Sequence, residues 1–86
     1  MYLHLGQNTV ITFDEIIGIF DLDNTTVAKK TRDYLSLAQT EGRVVEVSNE
    51  LPKSFIVCQN SQGEHKVYLS QISTPTLLKR TEEPFK

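Results

Sequence analysis

Two aspartates, Asp21 and Asp23, stand one residue apart at the end of an apolar run, with Thr25 completing an Asp-x-Asp-x-Thr pattern. The spacing has a chemical meaning. At the end of a strand the first carboxylate can attack a phosphorus centre, the second can exchange a proton with the leaving group, and both can hold Mg²⁺ between them. A calcium loop is the other metal reading of the same residues. It fails on its own terms, because Thr26 falls where that loop turns on a glycine and Arg32 falls where it needs a bidentate glutamate.

The Asp-x-Asp-x-Thr pattern resembles the first motif of the haloacid dehalogenase-type phosphatases. That resemblance implies further parts: a Ser or Thr for the phosphate, a Lys or Arg for its charge (Lys53 is available), and downstream carboxylates for the metal. It also implies a parallel Rossmann-like sheet with several helices. The chain after Asp21 supplies one clear helix, and Glu82 and Glu83 fall on its tail. A plainer role accounts for the same residues. The first turn of a helix leaves amide hydrogens unpaired and carries partial positive charge. Asp23, Asn24 or Thr25 can accept those hydrogens as an N-cap, worth about 1 kcal/mol, while Asp21 adds favourable charge upstream. The expectation is a strand-to-helix junction, with no catalytic residue and no enzyme.

The remaining reactive side chains form no constellation. His4 and His65 lie far apart without ligand spacing, which predicts surface or strand histidines. Cys58, in Ser-Phe-Ile-Val-Cys, reads as a buried apolar thiol with no nearby cation to lower its pKa. No metal site, cofactor or small-molecule substrate is expected. Lys29, Lys30 and Arg32 read as a solvated helix face, partly neutralised by Asp33.

The elements that would position these residues are legible from their periods. Tyr-Leu-His-Leu alternates, Gly-Gln-Asn supplies turn chemistry, and Thr-Val-Ile-Thr-Phe alternates again, which predicts a hairpin. Ile16 to Phe20 is a short β-branched run, expected as a third strand buried on both faces, with Gly18 marking a bulge or a close approach. Val27, Thr31, Tyr34, Leu35 and Ala38 then fall on one helical stripe, predicting a helix from about Thr25 to Thr40 that stops at Gly42. Three further strands follow in Arg-Val-Val-Glu-Val, Lys-Ser-Phe-Ile-Val-Cys and Lys-Val-Tyr-Leu-Ser-Gln-Ile. Ser-Thr-Pro-Thr-Leu-Leu-Lys-Arg starts a closing helix, with Thr74 as N-cap, Pro75 at the first helical position, and Lys79 and Arg80 at the carboxyl end. The order β-β-β-α-β-β-β-α, with strands on both sides of one amphipathic helix, predicts a small α+β domain over residues 1–80 and a tail over 81–86. Strand pairing stays open.

A chain of 86 residues makes one domain with a thin core, so covering surface on another copy is expected. Nine Lys plus Arg against eleven Asp plus Glu give a formal charge of −2, which supplies no global field for DNA or an acidic membrane. Any nucleic-acid contact must come from a local basic patch. The single cysteine predicts no internal disulfide and a reducing, cytoplasmic setting. The opening residues carry no basic region, apolar core or cleavage site of a secretory leader, and no apolar run is long enough to span a bilayer.

Read end to end, the sequence resembles the RemA/RemB family of bacterial extracellular-matrix (biofilm) regulators, and within it the RemB-type branch. The matching pieces are Met-Tyr-Leu-His-Leu-Gly at the start, Ile-Ile-Gly-Ile-Phe-Asp in the third strand, Glu-Leu-Pro-Lys-Ser-Phe-Ile-Val after the helix, and Ser-Thr-Pro-Thr-Leu-Leu-Lys-Arg near the end. The resemblance implies a non-enzymatic transcription regulator on a LytTR-like fold, with identical subunits in a ring that presents repeated basic surfaces to duplex DNA. Where the DNA-binding branch carries a loop arginine this chain has Asp14 and Glu15, and where that branch carries an arginine pair it has Leu51 and Pro52. The DNA-binding candidates are therefore Lys53, Lys79 and Arg80, with Arg43. The alternative is a self-assembling interaction module without DNA, its contacts drawn from Tyr2, Phe13, Phe20 and Phe55.

Overall fold

The computed structural model describes residues 2–22 and 29–82. The opening alternation forms an antiparallel hairpin of β1 (Tyr2–Gly6) and β2 (Thr9–Thr12). Its period of two sends Leu3, Leu5 and Ile11 inward, where all are buried, and leaves Tyr2, His4 and Val10 exposed on the outer face. A short 3₁₀ turn, Phe13–Glu15, leads into β3 (Ile16–Asp21). Then come α1 (Lys29–Thr40), β4 (Val44–Glu46), β5 (Ser54–Gln59), β6 (His65–Ser70) and α2 (Thr74–Glu82). The second sheet has the order β3-β5-β6-β4: β5 runs antiparallel to both neighbours, and β4 runs parallel to β6. Mixed strands and two helices in one small domain make the class α+β, as expected.

The core explains why β5 is central. Ser54 to Cys58 are all buried, because alternate residues meet a different layer on each side. Phe55 and Val57 face α1, whose Tyr34, Leu35 and Ala38 pack down with Val67 and Leu69. Ile56 and Cys58 face the hairpin and α2, meeting Leu3, Leu5, Ile11 and Leu77. The molecule is thus three layers: α1, the sheet, and the hairpin with α2.

The expectation that Ile16 to Phe20 would be buried on both faces is corrected. This run forms the edge strand β3, with Ile17 and Phe20 exposed. The expected irregularity at Gly18 is present. The register slips between Ile16 and Gly18, and Phe20 folds back so that a Cβ on Gly18 would lie 2.8 Å from its ring. Phe20 also stacks on buried Phe55, with centroids 4.8 Å apart. An interrupted strand pairs well on one side only, so the unbroken run of β5 takes the centre.

Both helices end as their sequences ask. Gly42 takes φ +74°, its N–H donates to Gln39, and the Arg43 N–H donates to Ala38, a Schellman stop for α1. The expected first turn of that helix, with Val27 and the cap candidates Asp23, Asn24 and Thr25, lies outside the described residues. For α2 the expected cap is corrected by one residue. The Leu77 N–H donates to the Ser73 carbonyl at 3.1 Å, so Ser73 is the N-cap and Thr74 is already helical. The Ser73 hydroxyl bonds that of Thr76 at 3.0 Å. Pro75, expected at the first helical position, is therefore the second, still within the first turn, where its missing N–H leaves no bond unmade.

Two buried serines join the layers. Ser54 and Ser70 are cross-strand partners, both fully buried. The Ser70 hydroxyl donates to the Leu5 carbonyl of the hairpin at 2.6 Å and accepts the Ile72 N–H at 3.0 Å. The Ser54 hydroxyl donates to the Ile72 carbonyl at 2.8 Å.

Ser70→Ala leaves the Leu5 carbonyl and the Ile72 N–H without a partner, and is expected to destabilise the fold by about 2 kcal/mol. Urea unfolding reads this, and an unchanged midpoint would show that the joint carries no stability. Burial pushes the Cys58 thiol up to about 11, with the Glu15 charge adding to it. Cys58 is therefore expected to react with a thiol probe at pH 8 at least about a hundredfold more slowly in the native protein than in denaturant. Rapid native labelling would contradict its place in the core.

Candidate functional site

Lys53 is the best presented of the DNA-binding candidates. Its N–H donates to the Ser70 carbonyl at 2.8 Å, and its own carbonyl accepts the Leu22 N–H at 2.8 Å. The backbone is held by β3 on one side and β6 on the other, while the side chain is exposed. Leu51 and Pro52 precede it, and Leu51 is 86% exposed at the tip of the turn.

Arg43 sits elsewhere. It opens β4, its carbonyl accepting the Val67 N–H, whereas Lys53 opens β5. Because β4 and β5 run in opposite senses relative to β6, the two cations stand at opposite ends of the sheet. Along the strand direction alone this separates them by about 15 Å at the usual rise per strand residue. Arg43 is also engaged locally. Its Nε donates to Glu41 Oε1 at 2.7 Å, and its guanidinium lies 5.6 Å from the Tyr34 ring centroid. The structure does not bring Arg43 and Lys53 into one surface.

Lys79 and Arg80 are exposed in the last turn of α2, where their charge complements the helix dipole. Arg80 reaches back to the hairpin, its Nη1 donating to the His4 carbonyl at 2.9 Å. The helix itself continues to Glu82, past the point where the sequence suggested a tail.

Asp14 and Glu15 occupy the 3₁₀ turn before β3. Glu15 lines an open cleft of about 550 Å³ with Arg43, Cys58, His65, Lys66 and Tyr68, so acidic and basic groups are interleaved there. His4 bonds the Gln7 carbonyl within its own turn, and His65 begins β6 on the cleft, so the histidines do not meet. Asp21 ends β3 opposite Ser54, and Asp23 lies outside the described residues. Phe13 and Phe55 serve the core, while Tyr2 and Phe20 reach the surface. Sequence reasoning passed over the exposed apolar Val10, Ile17 and Leu78. The alternation of β2 places Val10 outward, but periodicity does not say that nothing packs above it.

A family model described as RemA-like, extracellular matrix regulatory protein A-like, matches residues 2–81. Extracellular matrix regulatory protein B of Bacillus subtilis (strain 168) is 32% identical over 85 residues, covering 99% of this chain and 95% of that protein. The chain belongs to the RemA-like family of extracellular matrix regulatory proteins, on its RemB-type side.

Proposed function

We propose that this chain is a cytoplasmic, non-enzymatic transcription regulator of extracellular-matrix genes, working as a homo-oligomer that meets duplex DNA through a repeated basic surface. Membership of an extracellular matrix regulator family supports the biological role, and the LytTR-like comparison belongs to the same proposal. The observation that carries the DNA contact is Lys53, a cation on a backbone fixed from both sides. A protein of net charge −2 holds phosphate weakly through one such residue. Copies arranged around an axis multiply it, because linked sites raise effective affinity without new contacts. Of the remaining candidates, Lys79 and Arg80 are exposed, while Arg43 is engaged by Glu41.

The antiparallel edge position of β3 supports the non-enzymatic reading. The phosphatase arrangement needs its first aspartate at the end of a strand within a parallel sheet, and Asp21 ends an edge strand paired antiparallel to β5. The second reading, an interaction module without DNA, is favoured by the exposed Tyr2 and Phe20.

Fluorescence anisotropy of a labelled duplex across a salt series tests the proposal. Binding is expected at low salt, with a slope corresponding to several phosphate contacts per assembly. Lys53→Glu is expected to weaken it at least about tenfold, since every subunit then repels phosphate. Absence of binding at low salt would leave the interaction-module reading. An unchanged affinity in Lys53→Glu would remove Lys53 from the interface.

A further inference from the structure

The open cleft at the Arg43 end of the sheet, about 550 Å³, has the volume of a small-molecule site. Cys58 of β5 and Tyr68 of β6 line it. Burial pushes the Cys58 thiol up to about 11 and raises Tyr68 as well, so this part of the cleft is poorly hydrated. The Glu15 carboxylate adds to both shifts and therefore sets a negative field over these two groups. Cys58 has ladder partners on both sides, Ile16 of β3 and Lys66 of β6. Glu15 directly precedes Ile16, so a carboxylate and an ammonium flank the thiol from opposite sides. The backbones that carry them are about 10 Å apart, twice the usual spacing of neighbouring strands. Two other charged groups of the cleft are already engaged: Arg43 bonds Glu41, and Glu64 Oε1 accepts from Asn60 Nδ2 at 2.9 Å. Glu15 and Lys66 do not pair with each other, and among the described residues neither makes a hydrogen bond or ion pair elsewhere.

We infer that this cleft binds a small zwitterion with an apolar body, a free amino acid of the leucine or phenylalanine kind. Its ammonium sits on Glu15, its carboxylate on Lys66, and its side chain against Cys58 and Tyr68. The charge pattern selects this class. A lone anion drawn to Lys66 enters the field of Glu15, and a lone cation drawn to Glu15 meets the charge of Lys66. A molecule carrying both signs answers each. Glu15 is half-buried, and a carboxylate partly removed from water is stabilised by a counter-charge brought to it. Among the described residues no set of His, Cys, Asp or Glu is placed to hold a metal ion, so the cation suited to Glu15 is an organic ammonium. His65, next to Lys66 in β6, also lines the cleft and can donate to the same carboxylate. The cleft lies at the end of the sheet away from Lys53, so the inference is independent of the contact with DNA.

Ligand-observed NMR of the full chain, titrated with L-leucine and with L-phenylalanine, reads weak binding whatever the size of the assembly. At least one of the two is expected to bind saturably. Its N-acetyl form, which lacks the cation, and its amide, which lacks the carboxylate, are each expected to bind at least about tenfold more weakly. Two variants then assign the ends. Glu15→Gln is expected to weaken the amino acid and its amide at least about tenfold and to leave the N-acetyl form unchanged. Lys66→Met is expected to weaken the amino acid and its N-acetyl form by a similar factor and to leave the amide unchanged. Because the analogues remove the same charges from the ligand, the wild-type chain alone tests the pairing should either variant melt early. Silence from both amino acids would overturn the inference. So would analogues that bind as well as the parent, or folded variants without the crossed pattern.

Discussion

The buried hydroxyl of Ser70 is where the layers of this protein are fastened together. It spans from the last residue of β6 to the carbonyl of Leu5 in the hairpin, while taking the N–H of Ile72 on the path into α2. Polar groups removed from water are tolerated only when paired, and here both ends of the hydroxyl are used. Ser54, directly across the ladder, completes the set by donating to the carbonyl of the same residue, Ile72. An apolar interface between hairpin and sheet could slide by a residue at little cost. A pair of short, directional bonds fixes one docking position, and with it the place of α2 and the reach of Arg80 to β1.

That joint also shows where the sequence was readable and where it was not. Strand and helix periods are local, so the hairpin, the stripe of Tyr34, Leu35 and Ala38, the stop at Gly42 and the burial of Cys58 could be read directly. The order of strands across the sheet is not local. Ile16 to Phe20 and Phe55 to Cys58 look alike as apolar runs, and only the pairing shows that the first lies at the edge. The cap of α2 slipped by one residue because adjacent Ser73 and Thr74 have the same capping chemistry. Of the candidate cations, exposure was legible for Lys53, Lys79 and Arg80. The separation of Arg43 from Lys53 depends on β4 running parallel to β6, which no periodicity encodes.

Charge in this molecule is spread rather than pooled. Arg43 is matched by Glu41, the cleft beside it mixes both signs, and Arg80 is tied to the hairpin. The family places the chain among extracellular matrix regulators. A single copy with its charge spread this way offers phosphate few footholds, so the proposed contact with DNA depends on copies acting together.

The extra residue at Ile17 has a wider meaning. An edge strand presents unpaired backbone donors and acceptors, an open template for another chain to join. The slip between Ile16 and Gly18 throws those groups out of step along β3. A flat, regular edge this apolar would invite stacking into cross-β fibrils. The kinked one resists such indefinite growth, so the protein can keep sticky side chains on its surface without becoming a seed for amyloid.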